Sequence, residues 1–132
     1  MIYEVRTYNV KPGSLAEVEK RFGEAYEKRK ELSPLAAFFH TEIGPLNQII
    51  HIWPYKDLAE REQIRDEAVK RGVWPPKIGE FLQDQQTDIF KPLAISPEMK
   101  PGNLGPYFEM RTYTLESGEL PVLTKAWENA IE

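Results

Sequence analysis

One short segment occurs twice in this chain. Residues 4–8 read Glu-Val-Arg-Thr-Tyr and residues 109–113 read Glu-Met-Arg-Thr-Tyr, with Gly13 and Gly118 following at the same offset. A recurrence of this kind indicates that a strand–turn–helix unit has been duplicated. We therefore expect one complete unit followed by the opening of a second, truncated one. This constraint bears on architecture more than on any reaction.

Composition excludes several classes of protein. A length of 132 residues permits one good hydrophobic core, and a net charge of −4 provides no basic face for nucleic acid. The chain lacks cysteine, which excludes disulfides and thiolate metal sites and suits a reducing compartment. It also lacks an apolar stretch of membrane-spanning length and begins as a strand. We predict a cytoplasmic protein with no membrane span.

Hydrophobic periodicity predicts six elements in residues 1–92. Strands are expected at 2–10, 35–42, 46–54 and 85–91. Two capping boxes, Ser14 to Glu17 and Asp57 to Glu60, are predicted to begin the two helices. A short additional helix is expected to run through Phe81. The order βαββαβ predicts an α+β fold with a four-stranded antiparallel sheet and both helices on one face.

The rest of the chain is predicted to divide into two parts. Residues 93–106 are rich in proline and glycine and indicate a linker. Residues 107–132 match the opening of the first unit and predict a fifth strand at 107–115 and a helix from about Glu119. An exposed strand invites pairing, so we expect this strand to join a sheet edge or the partner subunit.

Side-chain alternation divides the predicted sheet into two faces. If the hairpin turns at Gly44-Pro45, Phe38 lies opposite His51 and Phe39 lies opposite Ile50. We assign the more apolar set, such as Tyr3, to the helices. The uncovered face is then expected to carry Glu4, Arg6, Tyr8, Phe38, His40, Glu42, Asn47, His51, Trp53 and Tyr55.

These segments resemble the NIPSNAP family over roughly residues 2–92. The resemblance rests on Tyr3-Glu4-Val5-Arg6-Thr7-Tyr8, Pro12-Gly13, Glu42-Ile43-Gly44-Pro45-Leu46-Asn47-Gln48, His51-Ile52-Trp53-Pro54-Tyr55 and Leu58-Ala59-Glu60-Arg61. It implies a ferredoxin-like unit of the dimeric α+β barrel class. Relatives in that class include cofactor-independent monooxygenases, isomerases and haem-dependent enzymes. NIPSNAP proteins themselves mostly lack an established activity, with roles proposed in vesicular transport and mitochondrial signalling.

Two classes of function remain open from the sequence. The first is a homodimeric barrel, or a higher homo-oligomer, that binds a small apolar or aromatic molecule between its sheets, with the ten residues of the uncovered face as candidate ligand contacts. Within this class, a cofactor-independent monooxygenase or isomerase would use His51 or Tyr8 as acid or base. The second is a structural or interaction module whose sheet face serves only dimerisation.

Individual side chains leave the same choice open. Arg6 beside Glu4 suits either an anionic or carbonyl-bearing ligand or mutual neutralisation of the two charges. His40 and His51, with Glu42, suit either a metal or a hydrogen-bonded pair, and we favour the pair because close ligand spacing is absent. We predict no metal and no cofactor. The catalytic residues, if the protein is an enzyme, stay unassigned.

Overall fold

A computed structural model describes residues 1–131 and contains an α+β core followed by a C-terminal helix. The elements are β1 (Ile2–Val10), α1 (Leu15–Arg29), β2 (Ala37–His40), β3 (Gln48–Tyr55), α2 (Leu58–Lys70), β4 (Leu82–Phe90) and α3 (Leu120–Ile131). The strands form one antiparallel sheet in the order β2-β3-β1-β4. The predicted βαββαβ order is confirmed.

Contacts divide the chain into two compact units. The first comprises residues 1–92 with 99–101, and the second comprises 93–98 with the chain from 102 onward. Within the second unit, α3 forms where a helix is predicted, but residues 107–115 do not form a strand. The prediction of a fifth strand is wrong for this structure. A strand persists only when a neighbour satisfies its backbone groups, and a repeated sequence alone does not supply that neighbour.

The strand register agrees with the alternation of the sequence. Phe38 lies opposite His51 and Phe39 opposite Ile50, as the predicted turn requires. β4 begins at Leu82, three residues before the predicted start, and no helix runs through Phe81. Phe81 instead closes a turn, since its amide donates to the carbonyl of Ile78 at 2.9 Å.

The two helices begin differently although the same motif predicts both. Asp57 caps α2, where its Oδ1 accepts a hydrogen bond from the Glu60 amide at 2.8 Å. Ser14 does not cap α1, because its hydroxyl donates to the carbonyl of Lys11 at 2.6 Å. Glu17 pairs with Arg21 one turn along instead of returning to the helix start. The first capping box therefore predicts correctly where α1 begins, but its two side chains do not form the hydrogen bonds of a capping box.

The assignment of the sheet faces is inverted. The main core joins Val18 and Phe22 of α1 to Tyr8, Trp53 and other members of the set predicted to be uncovered. The apolar set lies opposite the helices, where a second buried cluster contains Tyr3, Ala36 and Ile52 with Val5, Ala37 and Phe39 packed against it.

Two features account for the inversion. Arginines of α2 neutralise Glu4, which allows this carboxylate to be fully buried beneath the helices. On the other face, the amide of Met99 donates to the hydroxyl of Tyr3 at 2.9 Å, so a later segment of the first unit contacts the apolar side. Apolar content alone therefore does not show which face the helices cover.

Candidate ligand-binding site

A cavity of about 250 Å³ lies between α1 and the sheet. Its wall is almost entirely apolar and aromatic, and it also contains one imidazole and one carboxylate. The lining residues are Glu19, Phe22, Gly23, Tyr26, Leu35, Phe38, His51, Trp53 and Trp74. A space of this composition suits an apolar molecule that makes few polar contacts.

His51 occupies the wall of the cavity on β3 and is fully buried. Tyr8 stacks on its ring at 4.9 Å between centroids, and Phe22 meets it edge-on at 5.1 Å. Burial, together with the positive charges of Arg6, Arg65 and Arg29, lowers the pKa of His51 from 6.5 to about 3. The imidazole is therefore neutral at physiological pH.

The hydrogen bond between Trp53 and His51 determines which ring nitrogen of His51 carries the proton. The indole Nε1 of Trp53 lies 2.7 Å from His51 Nδ1. An indole nitrogen only donates, so Nδ1 accepts and the proton of the neutral ring is on Nε2. That Nε2 is buried and has no hydrogen-bond partner within residues 1–131. A buried N–H donor without a partner is costly, and a ligand acceptor in the cavity would relieve that cost.

Trp53 is held from its other side by a buried arginine. The guanidinium of Arg29 lies 4.4 Å from the centre of the Trp53 ring and donates to the hydroxyl of Tyr55 at 3.1 Å. Burial lowers the pKa of Arg29 and raises that of Tyr55. Arg29 and Trp53 thus form a continuous packed support behind His51.

A histidine–carboxylate group borders the cavity. His40 Nδ1 lies 2.5 Å from Glu19, which lines the cavity, and His40 Nε2 lies 3.1 Å from Glu42. The hydrogen bond to Glu19, followed by that to Glu42, raises the pKa of His40. His40 therefore orients the carboxylate of Glu19.

Three arginines surround the buried carboxylate of Glu4, and we call Arg6, Arg61 and Arg65 the arginine cluster. Arg6 lies 3.0 Å and Arg65 3.5 Å from Glu4 Oε1, while Arg61 bonds Oε2. Arg6 also donates to the hydroxyls of Tyr8 at 2.8 Å and Thr87 at 3.0 Å.

The structure distributes the ten predicted site residues among several environments. Phe38, His51 and Trp53 line the cavity, and Tyr8 packs directly behind His51. The other predicted residues lie elsewhere: Tyr55 bonds Arg29, Glu4 and Arg6 lie in or beside the arginine cluster, His40 and Glu42 form the border pair, and Asn47 lies in the hairpin, where its carbonyl accepts from Val10.

Sequence reasoning missed the half of the cavity that α1 and the loop after α2 supply. Phe22 and Tyr26 pack into the core from α1, and Trp74 lies in the loop after α2, so none of them is among the ten residues predicted for the site. A signal was present in Gly23, an isolated glycine within a helical pattern, which is unfavourable unless space or close approach is needed.

The part of the chain that the structure describes contains neither a metal-binding cluster nor a membrane-spanning helix. Within residues 1–131 no group of three or more His, Cys, Asp or Glu side chains is arranged to hold a metal ion. Over the same residues, no helix has the length and apolar character required to cross a membrane.

The sequence of this chain is similar to those of several known proteins. A NIPSNAP protein from Dictyostelium discoideum is 44% identical over 73 residues, which cover 55% of this chain and 33% of that protein. Human NipSnap homolog 2 is 31% identical over 99 residues, covering 73% of this chain and 35% of that protein. The matched segment is thus about a third of the length of these relatives.

Solved structures show the same core. A NIPSNAP family protein of unknown function from Agrobacterium tumefaciens superimposes with a TM-score of 0.68 and 34% identity, covering 74% of this chain and 92% of that one. A likeness in fold alone extends to monooxygenases, such as a putative antibiotic biosynthesis monooxygenase from Nitrosomonas europaea with a TM-score of 0.58 and 11% identity, covering 70% of this chain and 99% of that one. The NIPSNAP family model matches residues 3–97, and this chain therefore belongs to the NIPSNAP family.

Proposed function

We propose that this protein binds a small aromatic or alicyclic molecule bearing a hydrogen-bond acceptor in the cavity between α1 and the sheet. The observation that carries the proposal is the buried Nε2–H of His51, which has no partner within the described residues, on a side chain that contributes to the cavity wall. We place the binding space beneath the helices and not between two sheets, because Phe38, His51 and Trp53 line the cavity on that face of the sheet.

The size and lining of the cavity define the ligand class. An apolar cavity of about 150 Å³ accommodates benzene. The 250 Å³ available here suits a molecule of one to two rings. The walls offer aromatic faces from Phe22, Trp53 and Trp74, and His51 supplies one donor. A carbonyl or ether oxygen on a flat apolar ring system meets these requirements.

The chemistry favours binding over proton abstraction. A general base works best when its pKa lies near the operating pH, and the pKa of His51 is about 3. The hydroxyl of Tyr8 already accepts a hydrogen bond from Arg6. His51 is therefore suited to hold and polarise an acceptor oxygen.

Two probes of nearly the same shape test the proposal. 1-Indanone and indane differ by one carbonyl oxygen, so a preference for 1-indanone reports the hydrogen bond from His51. A net hydrogen bond is worth about 0.5–1.5 kcal/mol, which corresponds to roughly 2- to 12-fold in affinity. We expect calorimetry to show tighter binding of 1-indanone to the native protein by this factor.

The matched variant is His51→Phe, which keeps a flat ring and removes the donor. We expect it to bind both probes with similar affinity, after circular dichroism has shown that it is folded. If neither probe binds the native protein saturably, the cavity is not a ligand site, and the interaction-module function gains support. A preference for 1-indanone that survives in His51→Phe would place the contact elsewhere.

We also propose that two copies of this chain associate through the sheet face opposite α1 and α2. Support comes from the apolar character of that face, where Val5, Ala37, Phe39, Ile50 and Ile52 share one side of the sheet. A symmetric pair is the simplest way to cover a self-complementary apolar surface. The family resemblance to dimeric α+β barrels points the same way.

A third proposal concerns residues 107–115, which repeat the sequence of β1. Residues 107–132 carry the repeated sequence and 93–106 the linker composition, so we propose that 107–115 becomes a strand when a sheet edge is offered to it. The edges of the four-stranded sheet are β2 and β4. The helix that follows, α3, already has the form that the repeat predicts.

A further inference from the structure

The arginine cluster carries more positive charge than the one carboxylate that it contacts. Arg6, Arg61 and Arg65 share Glu4, which leaves about +2 within the hydrogen-bonded group by counting formal charges. Glu62 and Asp66 act on Arg61 and Arg65 electrostatically, but neither forms a hydrogen bond with them within residues 1–131. This excess occurs in a chain whose net charge is −4, so it does not follow from overall composition.

Exposed arginines elsewhere in residues 1–131 are compensated differently. Arg21 bonds both Glu17 and Glu80, and Arg71 bonds Glu67. Each of these guanidiniums has at least one carboxylate to itself. Three guanidiniums on one carboxylate are therefore unusual within this molecule. A single arginine would have been enough to neutralise the charge of Glu4.

The donors of the cluster exceed what Glu4 can accept. A guanidinium has five N–H donors and a carboxylate has about four acceptor positions. Arg65 makes its hydrogen bond within the described residues to Glu4 alone, at the long distance of 3.5 Å. The hydroxyl of Thr87 accepts from Arg6, so its own hydrogen is free to turn toward a further acceptor.

The cluster is reachable but partly shielded from water. The side chains of Arg6, Arg61 and Arg65 are 14%, 23% and 32% exposed. Partial burial strengthens an electrostatic interaction relative to bulk water, because the effective dielectric constant is lower. Burial, followed by the neighbouring charge of Arg6, lowers the pKa of Arg65, and the charge of Asp66 opposes that shift.

We propose that the arginine cluster binds an oxyanion group, a carboxylate or a phosphate, with Arg65 and Arg61 as its principal contacts and Thr87 as an additional donor. The planar guanidinium presents paired donors that match both groups. The local charge favours a dianion over a monoanion. This inference does not depend on the apolar cavity and survives if that cavity binds nothing.

The test titrates methyl phosphate and acetate against the full chain at constant ionic strength, with chloride as the balancing anion. Calorimetry and the thermal midpoint are both recorded at pH 7.5, where the phosphate is a dianion. We expect saturable binding, tighter for methyl phosphate, and a raised thermal midpoint. Binding of methyl phosphate alone identifies a phosphate site, whereas tighter binding of acetate identifies a carboxylate site and contradicts the expected preference for a dianion.

Arg65→Gln is the diagnostic variant, and Arg71→Gln, at the C-terminal cap of the same helix, is its control. Arg65 contacts Glu4 only weakly, so its loss leaves Glu4 paired with Arg6 and Arg61. Loss of one charge-assisted contact should weaken methyl phosphate binding about tenfold or more, while Arg71→Gln keeps native affinity. Absence of saturable binding to the native protein, or equal weakening by both variants, would overturn the proposal.

Discussion

At the scale of single residues, His51 decides what the site can do. A histidine among aromatic rings is ordinarily a satisfied core residue, but here one ring nitrogen is hydrogen-bonded and the other has no partner among residues 1–131. The bond from Trp53 therefore converts an ambivalent imidazole into a donor of fixed direction. Sequence alternation placed His51, Trp53 and Phe38 on one face. It could not reveal the tautomer, which depends on a contact between side chains two residues apart.

The neutral state of His51 predicts a pH-dependent stability. Its pKa is about 3 in the folded protein and near 6.5 when unfolded, so below pH 6.5 the unfolded chain takes up a proton that the fold excludes. Stability from this residue is fully present above pH 6.5 and is lost as pH falls toward 3, by up to about 1.4 kcal/mol per pH unit. Urea unfolding of the native protein and His51→Phe between pH 4.5 and 7 measures the difference.

The two histidines have opposite pH dependences, because the pKa of His51 is lowered and that of His40 is raised. His40 has a raised pKa, so its contribution is fully present below pH 6.5 and is lost as pH rises through its folded pKa. His40→Gln should accordingly leave the acid-side difference intact. Parallel stability curves for the native protein and His51→Phe would show that His51 is protonated in the fold, contrary to its burial.

At the scale of elements, α1 both covers the sheet and forms one wall of the cavity. Its buried stripe was predictable from periodicity, since Val18 and Phe22 recur at helical spacing. The side of the sheet that it covers was not predictable. A pleated strand fixes which residues share a face, but the choice of face depends on distant partners, here the α2 arginines that neutralise Glu4.

Gly23 lies in the middle of α1, where a side chain would change both the helix and the cavity. It lines the cavity, and a Cβ atom there would meet no atom within 4 Å. Gly23→Ala should raise the free energy of unfolding by about 0.5–1 kcal/mol, since glycine weakens a helix interior. Gly23→Leu should extend a side chain into the open space and weaken 1-indanone binding severalfold. Native affinity in the leucine variant, with alanine as the size control, would argue against this cavity as the binding space.

At the scale of the whole chain, the family core and the helix α3 were predictable, and the conformation of residues 107–115 was not. Local patterns determine β1 through β4 because each element packs against neighbours within residues 1–92. Residues 107–115 repeat the sequence of β1 closely, yet they form no strand in this structure. The repeat encodes strand propensity, and formation of the strand requires a pairing edge that the sequence of the segment cannot specify.

The sheet face opposite α1 and α2 is the surface that we expect to join two copies of the chain. Ile50 lies on the sheet face opposite α1 and α2, beside Thr7 on one strand and Phe39 on the other. If that face joins two copies, Ile50→Lys places a charge in an apolar interface and should convert a dimer to a monomer, as burial of an unpaired charge is costly. Ile43→Lys is the matched control, because Ile43 is 94% exposed in the β2–β3 connection. Sedimentation equilibrium should give twice the chain mass for the native protein and the control, and the single mass for Ile50→Lys. A native protein that sediments as a monomer at every concentration would show that this face serves another purpose.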